Sequence, residues 1–296
     1  MSILNFGSIN IDRVFRVEHI ARAGETIAGT SFPRLAGGKG ANQSVALARA
    51  GAQVAHLGMV GGDGAWLIEK LTAEGIDTRW VQTSSEPTGQ AMIQVDRAGQ
   101  NAIVLDPGAN RQIAPSHVDR ALASLPKGAW LLVQNETSAV DYAMAQARQH
   151  KVRVAFNPAP CDAGVCDYGW EQVDLLCLNE IEGAALADCD DPEQIVAALA
   201  ARAPQAEIVL TLGAAGVLYR DSRSRIRLAA CAVTPLDTTA AGDTFLGYYL
   251  AARSQGRSPR DALETANRAA ALCVTRPGAM DSIPRRDEVE RWPGPI

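Results

Sequence analysis

Short apolar runs alternate with helix-like segments along most of this 296-residue chain. The runs are continuous, without polar residues at every second position, which is typical of strands buried on both faces. They lie at residues 3–6, 54–60, 129–133, 152–156, 173–178 and 207–212, and the helix-like segments lie at 41–50, 64–74, 139–149 and 192–202. This alternation predicts an α/β fold with a doubly wound, mostly parallel sheet flanked by helices.

Two stretches interrupt the alternation. Residues 11–32 lack a helical period, and residues 88–106 have the pattern of a hairpin whose loop lies around residues 97–100. We expect these stretches to form a small β-sheet, over about residues 10–35 and 87–107, attached to one α/β domain that covers the whole chain.

Composition argues against several classes of function. The formal net charge is −5, and the one basic cluster, at 219–227, is predicted to be the outer face of an edge hairpin, so nucleic-acid binding is not expected. The sequence shows no signal-peptide pattern and no apolar run near the roughly 20 residues that span a bilayer, which predicts a cytoplasmic protein without a membrane segment. The six cysteines form no CxxC pair and are predicted to be reduced core thiols, and the scattered histidines give no zinc motif.

The segment "LAGGKGANQS", residues 35–44, places three glycines around Lys39. A Walker A loop requires Ser or Thr after the lysine, but Gly40 stands there, and a dinucleotide-binding fingerprint would directly follow the first strand. The loop still allows a ligand close to the backbone, with Lys39 and Asn42 at the start of a helix. Such groups suit hydroxyls as well as phosphates, and a purely structural glycine turn is the alternative.

A second segment, "LDTTAAGDTFLGYYLAA" at 236–252, crowds small residues before Asp243 and an apolar helix. Backbone N–H groups of residues 240–243 would be free at the positive end of that helix, where they favour a transferring phosphoryl group. Asp243 has the alternative of a simple helix-capping carboxylate, although a cap does not require so many small residues.

Together these segments resemble the two signatures of the ribokinase-like (PfkB) family of carbohydrate kinases. The matching stretches are "GGKGANQSVALARAGA" and "DTTAAGDTFLGYYLA", and the likeness to the ribokinase branch extends to "GSINID", "NPAP", "TLGAAG" and "VTRPGAMDSIP". The resemblance covers essentially the whole chain. It implies an ATP-dependent kinase that phosphorylates the primary hydroxyl of a sugar, with D-ribose expected and deoxyribose, fructose, a ketodeoxy sugar acid or a nucleoside left open.

The resemblance also implies roles for particular residues. It assigns sugar binding to Asn10, Asp12, Gly38, Lys39, Asn42 and Glu136. Asp243 would be the general base, and an anion hole would be formed by the N–H groups of Ala240, Ala241 and Gly242.

Cofactor sites follow from the same resemblance. ATP and Mg²⁺ positioning are assigned to Asn179, Glu182, Thr211, Gly213, Gly216 and Asn267, although Glu182 has the alternative of a first-turn helix carboxylate. A monovalent cation, K⁺, is assigned to Asp237, Ser282 and the carbonyls of Thr239, Cys273, Arg276 and Gly278.

The family likeness gives the small β-sheet two expected roles. It would close over the sugar as a lid, and it would pair with the same sheet of a second subunit to form a homodimer. A sensor protein that binds sugar or nucleotide without catalysis is the alternative from another class, but it would not need Asp243 beside an intact anion hole.

Overall fold

The computed structural model of the chain describes residues 2–31 and 34–294. Its strands are β1 (Ser2–Phe6), β2 (Asn10–Val17), β3 (Gly29–Ser31), β4 (Leu35–Gly37), β5 (Gln53–Val60), β6 (Asp77–Thr83), β7 (Gly89–Val95), β8 (Asn101–Asp106), β9 (Trp130–Gln134), β10 (Arg153–Asn157), β11 (Val173–Asn179), β12 (Glu207–Thr211), β13 (Val217–Arg220) and β14 (Arg225–Leu228). Its helices are α1 (Lys39–Arg49), α2 (Ala65–Ala73), α3 (Pro115–Ala123), α4 (Val140–Gln149), α5 (Glu180–Ala187), α6 (Pro192–Arg202), α7 (Ala241–Ser254), α8 (Pro259–Val274) and α9 (Arg286–Arg291).

The large sheet has nine strands in the order β14-β13-β12-β11-β10-β9-β1-β5-β6. The pairs from β6 through β12 are parallel, and β13 and β14 complete one edge as an antiparallel hairpin. Each of the six apolar runs forms a strand of this sheet, and the four helix-like segments form α1, α2, α4 and α6. The predicted α/β fold with a mostly parallel sheet is therefore confirmed, and the basic cluster lies in the edge hairpin as expected.

Neighbouring residues of the central strands point into different cores. Ile3 and Leu132 belong to the core that includes residues of α1, α7 and α8, whereas Leu4 and Leu131 belong to the core that includes residues of α3, α4 and α6. All four side chains are fully buried. Because helices cover both faces of the sheet, every position of a central strand favours an apolar residue, which explains the continuous runs.

The two irregular stretches form a separate five-stranded sheet in the order β3-β2-β7-β8, with β4 paired to β2. Strands β7 and β8 form the predicted hairpin, and its turn is closed by a hydrogen bond from the Asp96 N–H to the Gln100 carbonyl. Strand β2 of the first stretch pairs in parallel with β7 of the second, so the two stretches form one sheet. Residues 32 and 33 of the predicted segment 10–35 lie outside the described residues.

The prediction of core cysteines is only half right. All six cysteines are free, but only Cys177 and Cys273 are buried, and Cys166 is exposed. The four cysteines that are not buried lie outside the α-helices and strands, Cys166 in a short 3-10 helix, where a small apolar side chain is not enclosed by two packed layers. Among the described residues, no helix is both long enough and apolar enough to cross a membrane.

Helix α7 is tied to the large sheet by a polar cluster at its C-terminal half. The Glu207 carboxylate of β12 accepts hydrogen bonds from the Tyr249 hydroxyl at 2.7 Å and from Arg253 Nε at 3.0 Å. A Cβ atom on Gly247 would lie 2.4 Å from the Ala46 Cβ atom, so glycine there lets α7 approach α1 closely. These contacts fix the direction in which the first turn of α7 points.

Candidate active site

The glycine loop lies where β4 leads into α1. Strand β4 pairs with β2, which carries Asn10 and Asp12. A Cβ atom on Gly37 would lie 2.0 Å from Asp12 Oδ2, so a larger residue would collide with that carboxylate. Gly38 has a φ of 92° and immediately precedes Lys39, the first residue of α1, and this backbone conformation favours glycine. The glycines therefore bring Lys39 close to the Asp12 carboxylate.

Lys39 faces four carboxylates that come from β2, from the segment after β9, from α5 and from α7. They are Asp12, Glu136, Glu182 and Asp243. Burial alone would disfavour the charged ammonium group, but the four carboxylates outweigh burial and raise the pKa of Lys39. Lys39 therefore remains protonated at neutral pH as the positive centre of an acidic cluster.

The position of Asp12 in this cluster strongly raises its pKa. Burial, followed by repulsion from Glu136 and Asp243, raises the pKa of Asp12 from 3.8 to about 7, while Lys39 acts in the opposite direction. Its side chain is almost fully enclosed. Asp12 thus changes its charge near physiological pH, which an exposed aspartate does not do.

Two of the predicted sugar-binding side chains are held by partners that sequence reasoning missed. Glu136 Oε2 accepts hydrogen bonds from the Ser8 hydroxyl and, at 3.3 Å, from the backbone N–H of Lys39. Asn10 Oδ1 accepts a hydrogen bond of 2.8 Å from Asn110 Nδ2. Ser8 lies within the recognised "GSINID" stretch, but no pattern around Asn110 indicated its role. These partners fix Glu136 and Asn10 before any ligand binds.

Asp243 contacts the region of the glycine loop from 200 residues away. Asn42 Nδ2 donates to Asp243 Oδ2 at 3.1 Å, and Gln43 Nε2 donates to Asp243 Oδ1 at 2.8 Å. Burial raises the pKa of Asp243, opposed by Lys39 and by the two amides. The structure thus brings both sequence motifs into one site. Asn42, which the resemblance assigned to the sugar, contacts Asp243, and Gln43 was not predicted.

The backbone before Asp243 has the shape expected of an anion-binding turn, with one qualification. Ala240 is left-handed at a φ of 61° and caps α7, which begins at Ala241. A Cβ atom on Gly242 would meet no atom within 4 Å, so this turn faces open space. The Ala241 N–H donates to the Thr238 carbonyl at 3.3 Å, so an anion would compete with a long hydrogen bond for that group.

Asn179 and Glu182 form a capping box at the start of α5. The Glu182 N–H donates to Asn179 Oδ1 at 2.8 Å, and the Asn179 N–H donates to Glu182 Oε2 at 3.0 Å. Burial raises the pKa of Glu182. Glu182 is therefore a first-turn helix carboxylate, as the alternative interpretation stated. The same carboxylate also faces Lys39. One carboxylate beside a phosphate site fits the way Mg²⁺ is usually held, together with substrate phosphates.

The remaining predicted nucleotide residues line the end of β12 and its neighbourhood. Gly213 and Gly216 bound a short turn, and a Cβ atom on Gly216 would lie 2.0 Å from the Leu228 carbonyl oxygen. Thr211 Oγ1 donates to the Leu178 carbonyl at 3.3 Å, and Asn267 Nδ2 donates to the Ala229 carbonyl at 3.1 Å. Each of these side chains has a structural partner, and their contact with ATP remains a prediction.

Five of the six residues predicted for the monovalent cation are linked by contacts of Asp237 and Cys273. Asp237 Oδ1 accepts from the Thr239 N–H at 2.9 Å, and Asp237 Oδ2 accepts from the Gly278 N–H at 2.9 Å. Cys273 Sγ lies 3.7 Å from the Thr239 carbonyl oxygen and 3.1 Å from Ser282 Oγ. Carboxylate, hydroxyl and carbonyl oxygens are ligands suited to K⁺, so the donor set fits the ion. The Arg276 side chain pairs with Glu288, which leaves the prediction for the Arg276 carbonyl untested.

Comparison with known proteins identifies the family. The model of the "pfkB family carbohydrate kinase" matches residues 2–286. This chain belongs to that family. It is 39% identical over 292 residues to the ribokinase of Haemophilus influenzae, with 95% of each chain covered. The carbohydrate kinase is also similar to the ribokinase structure from Thermotoga maritima, at a TM-score of 0.88, 33% identity and 98% coverage of both chains.

A third relative is similar in fold, and its structure is that of a complex with ligands. The structure of Arabidopsis thaliana ribokinase complexed with ribose and ATP matches at a TM-score of 0.85 and 28% identity, covering 98% of this chain and 97% of that one. Membership of this family makes the chain an ATP-dependent sugar kinase.

The ionisation of Asp12 predicts a pH-dependent affinity for sugar. Because a carboxylate accepts two hydroxyl donors only when it is ionised, the dissociation constant for ribose should rise as pH falls below the Asp12 pKa of about 7. The limiting slope is about tenfold per pH unit. Asp12→Asn should bind weakly with little pH dependence. Calorimetric titration measures the dissociation constant of both proteins for ribose. ATP is left out so that phosphoryl transfer does not contribute.

Asp12→Asn should weaken sugar binding but should stabilise the folded protein. Since the folded-state pKa of Asp12 lies above its unfolded value, ionising Asp12 destabilises the fold increasingly as pH rises from about 4 to about 7. Sugar-free Asp12→Asn should therefore melt at a higher temperature than the unaltered protein at about pH 8. Asp190→Asn, which alters an exposed aspartate, is the control and should leave both affinity and melting temperature unchanged. A pH-independent affinity of the unaltered protein would contradict the role of Asp12.

Proposed function

We propose that this sugar kinase is a ribokinase, which transfers the γ-phosphate of ATP to the primary hydroxyl of D-ribose with Asp243 as general base. The observation that carries the proposal is the pair of hydrogen bonds from Asn42 and Gln43 to the Asp243 carboxylate. They hold Asp243 beside the loop that carries Lys39, which supports its proposed role as the base. An alcohol held by the loop then lies next to the group that accepts its proton.

Asp12 supports ribose as the sugar. One ionised carboxylate can accept hydrogen bonds from two neighbouring hydroxyls, which orients the ring as well as binding it. Asn10 lies two residues before Asp12 on β2, and Lys39 and Glu136 lie near Asp12. These side chains offer donors and acceptors for the remaining hydroxyls. The ribokinases among the relatives, one of them with ribose and ATP, support the same substrate.

The start of α7 would bind the transferring phosphoryl group. The N–H groups of Ala240, Ala241 and Gly242 lie at the positive end of that helix, so they favour the negative charge on the γ-phosphate oxygens. Asp243, in the same turn, accepts the proton as the sugar oxygen attacks. Proton acceptance and charge stabilisation thus come from adjacent residues, which suits a reaction that depends mainly on alignment.

Two ions belong to the proposal. Glu182 and Asn179 would hold Mg²⁺ together with the ATP phosphates, and the ion would neutralise charge on the triphosphate. K⁺ would bind at Asp237, Ser282 and the carbonyls of Thr239, Cys273, Arg276 and Gly278. Because Asp237 joins the segments around Thr239 and Gly278, an ion there would order the turn that leads to Ala240.

We also propose that the small sheet acts as a lid and forms the contact of a homodimer. Strand β8 is the last strand in the order of that sheet, and it exposes apolar side chains on both of its faces. Ile103 and Val104 are 55% and 68% exposed, and Met92 and Leu105 are each 39% exposed. An exposed apolar edge strand favours pairing with another sheet, and a second copy supplies one.

Asp243→Asn tests the general base. Turnover should fall by about 10²-fold to 10⁴-fold or more, whereas the dissociation constant for ribose, measured by calorimetry, should change little. The matched control is Asp261→Asn, because Asp261 also lies in the first turn of a helix, α8. If Asp243 were only a helix cap, the two variants would lose the same small amount of activity.

The substrate and the cation are tested together in an assay of ADP release. D-Ribose should give the highest kcat/KM, and 2-deoxyribose should lose about 10- to 100-fold because Asp12 then lacks one hydroxyl donor. Replacing potassium by tetramethylammonium should lower turnover. A higher kcat/KM for fructose or a nucleoside would reject ribose, equal turnover in both salts would reject the cation site, and no ADP release with any sugar would favour a sensor.

The dimer is tested by Ile103→Lys combined with Val104→Lys. Light scattering after size exclusion should show a dimer for the unaltered protein and a monomer for the double variant, because two charges on each β8 edge repel and are costly to bury. Arg223→Ala, at the exposed tip of the other edge hairpin, should remain dimeric. A monomeric unaltered protein would reject this role of β8.

A further inference from the structure

Gln43 is a buried glutamine to which the sequence motifs assigned no role, although its hydrogen bond helps to hold Asp243 beside the glycine loop. It is 1% exposed and lies on α1, next to Asn42. Its Nε2 donates to Asp243 Oδ1 at 2.8 Å and to Asn157 Oδ1 at 3.0 Å. Its Oε1 accepts from Gln134 Nε2 at 2.7 Å. Both ends of the amide are therefore engaged with side chains of three other elements.

The orientation of this amide is fixed from one side by Asn5. Asn5 Nδ2 donates to the Gly40 carbonyl at 2.7 Å, and because a carbonyl oxygen only accepts, the nitrogen of Asn5 must face it. Asn5 Oδ1 then accepts from Gln134 Nε2 at 2.9 Å. Gln134 must therefore present its nitrogen to Gln43, and Gln43 must present its oxygen to Gln134.

A second carbonyl fixes the same orientation from the other side. Asn157 Nδ2 donates to the Cys177 carbonyl at 2.9 Å, so Asn157 must present Oδ1 to Gln43. Two independent chains of hydrogen bonds therefore require the nitrogen of the Gln43 amide to face Asn157 and Asp243. A flipped amide would leave oxygen facing oxygen at several buried positions, each of which is costly.

Charges around Asp243 make this donor important. The titratable groups that face it lie on α1, on β2, after β9, on α5 and on α8. They are Lys39, Asp12, Glu136, Glu182 and Cys273. Three of these are carboxylic acids that disfavour a further negative charge, and Lys39 is shared among all four acids. An oriented amide N–H stabilises the ionised form of Asp243 without adding a charge.

We propose that Gln43 is the positioning residue of the catalytic base, holding Asp243 Oδ1 through an amide whose direction is set by the backbone carbonyls of Gly40 and Cys177. The inference rests on the proposed role of Asp243. Gln43 stabilises the ionised carboxylate and fixes its rotamer, so the base is ready to accept a proton whenever a sugar hydroxyl arrives.

Gln43→Met and Gln43→Glu test the proposal. The measured quantity is the single-turnover rate of phosphoryl transfer at saturating ribose and MgATP, followed by rapid quench as a function of pH. Losing one hydrogen bond to a charged group should move the acidic limb of this profile upward by about one to two pH units in Gln43→Met. Gln43→Glu should move it at least as far, because a second carboxyl then faces Asp243.

The KM values separate positioning from binding. At a pH on the acidic limb of both proteins, the rate of Gln43→Met should lie roughly 10- to 100-fold below that of the unaltered protein and should largely recover at high pH, while the KM values for ribose and ATP change by less than about twofold. Should Gln43→Met not fold, Gln43→Glu carries the test, since it keeps the shape of the side chain and an oxygen for Gln134.

Ser44→Ala is the matched control. Ser44 is the next residue of α1, is equally buried, and accepts from Asn5 Nδ2 at 2.8 Å, but it does not contact Asp243. Ser44→Ala should lower the melting temperature and leave the pH of the acidic limb of the rate profile unchanged. The proposal is overturned if both Gln43 variants behave like Ser44→Ala. Full activity of Asp243→Asn would instead reject the general base itself, so the two failures are distinguishable.

Discussion

The site depends on the close packing of α1 against α7. Gly247 allows α7 to approach Ala46 so closely that a Cβ atom would lie 2.4 Å from the Ala46 Cβ atom. At this separation the side-chain amides of Asn42 and Gln43 reach the Asp243 carboxylate. Dense packing of two helices, a requirement of the core, thus brings residues from the two ends of the chain into one site.

The acidic cluster around Lys39 is arranged for function at some expense of stability. Asp12, Glu136, Glu182 and Asp243 are four acids beside one lysine, and burial raises the pKa of each. A fold selected only for stability would not bury so much like charge. The cluster is understandable if sugar hydroxyls donate to Asp12 and Glu136 on binding, because each hydroxyl then stabilises the ionised form.

Much of the fold was predictable because it follows from local pattern. Continuous apolar runs identified the strands of the large sheet from β1 to β12 except the edge strand β6, where only partly buried residues such as Val81 leave no continuous run. The motifs around Lys39 and Asp243 were recognisable, since small residues and charge stand at fixed spacing. The first-turn position of Glu182 was also predicted, as an alternative to its ion-binding role, although its reciprocal hydrogen bonds with Asn179 were not.

The partners of the site residues were not predictable in the same way. Gln43, Gln134 and Asn110 are buried amides, and a buried amide is informative only when its partner is known. Those partners lie 91 to 200 residues away along the chain. Local sequence therefore specifies which groups enter the site, whereas their orientation is fixed by backbone carbonyls, such as those of Gly40 and Cys177, that become neighbours only after the sheet has formed.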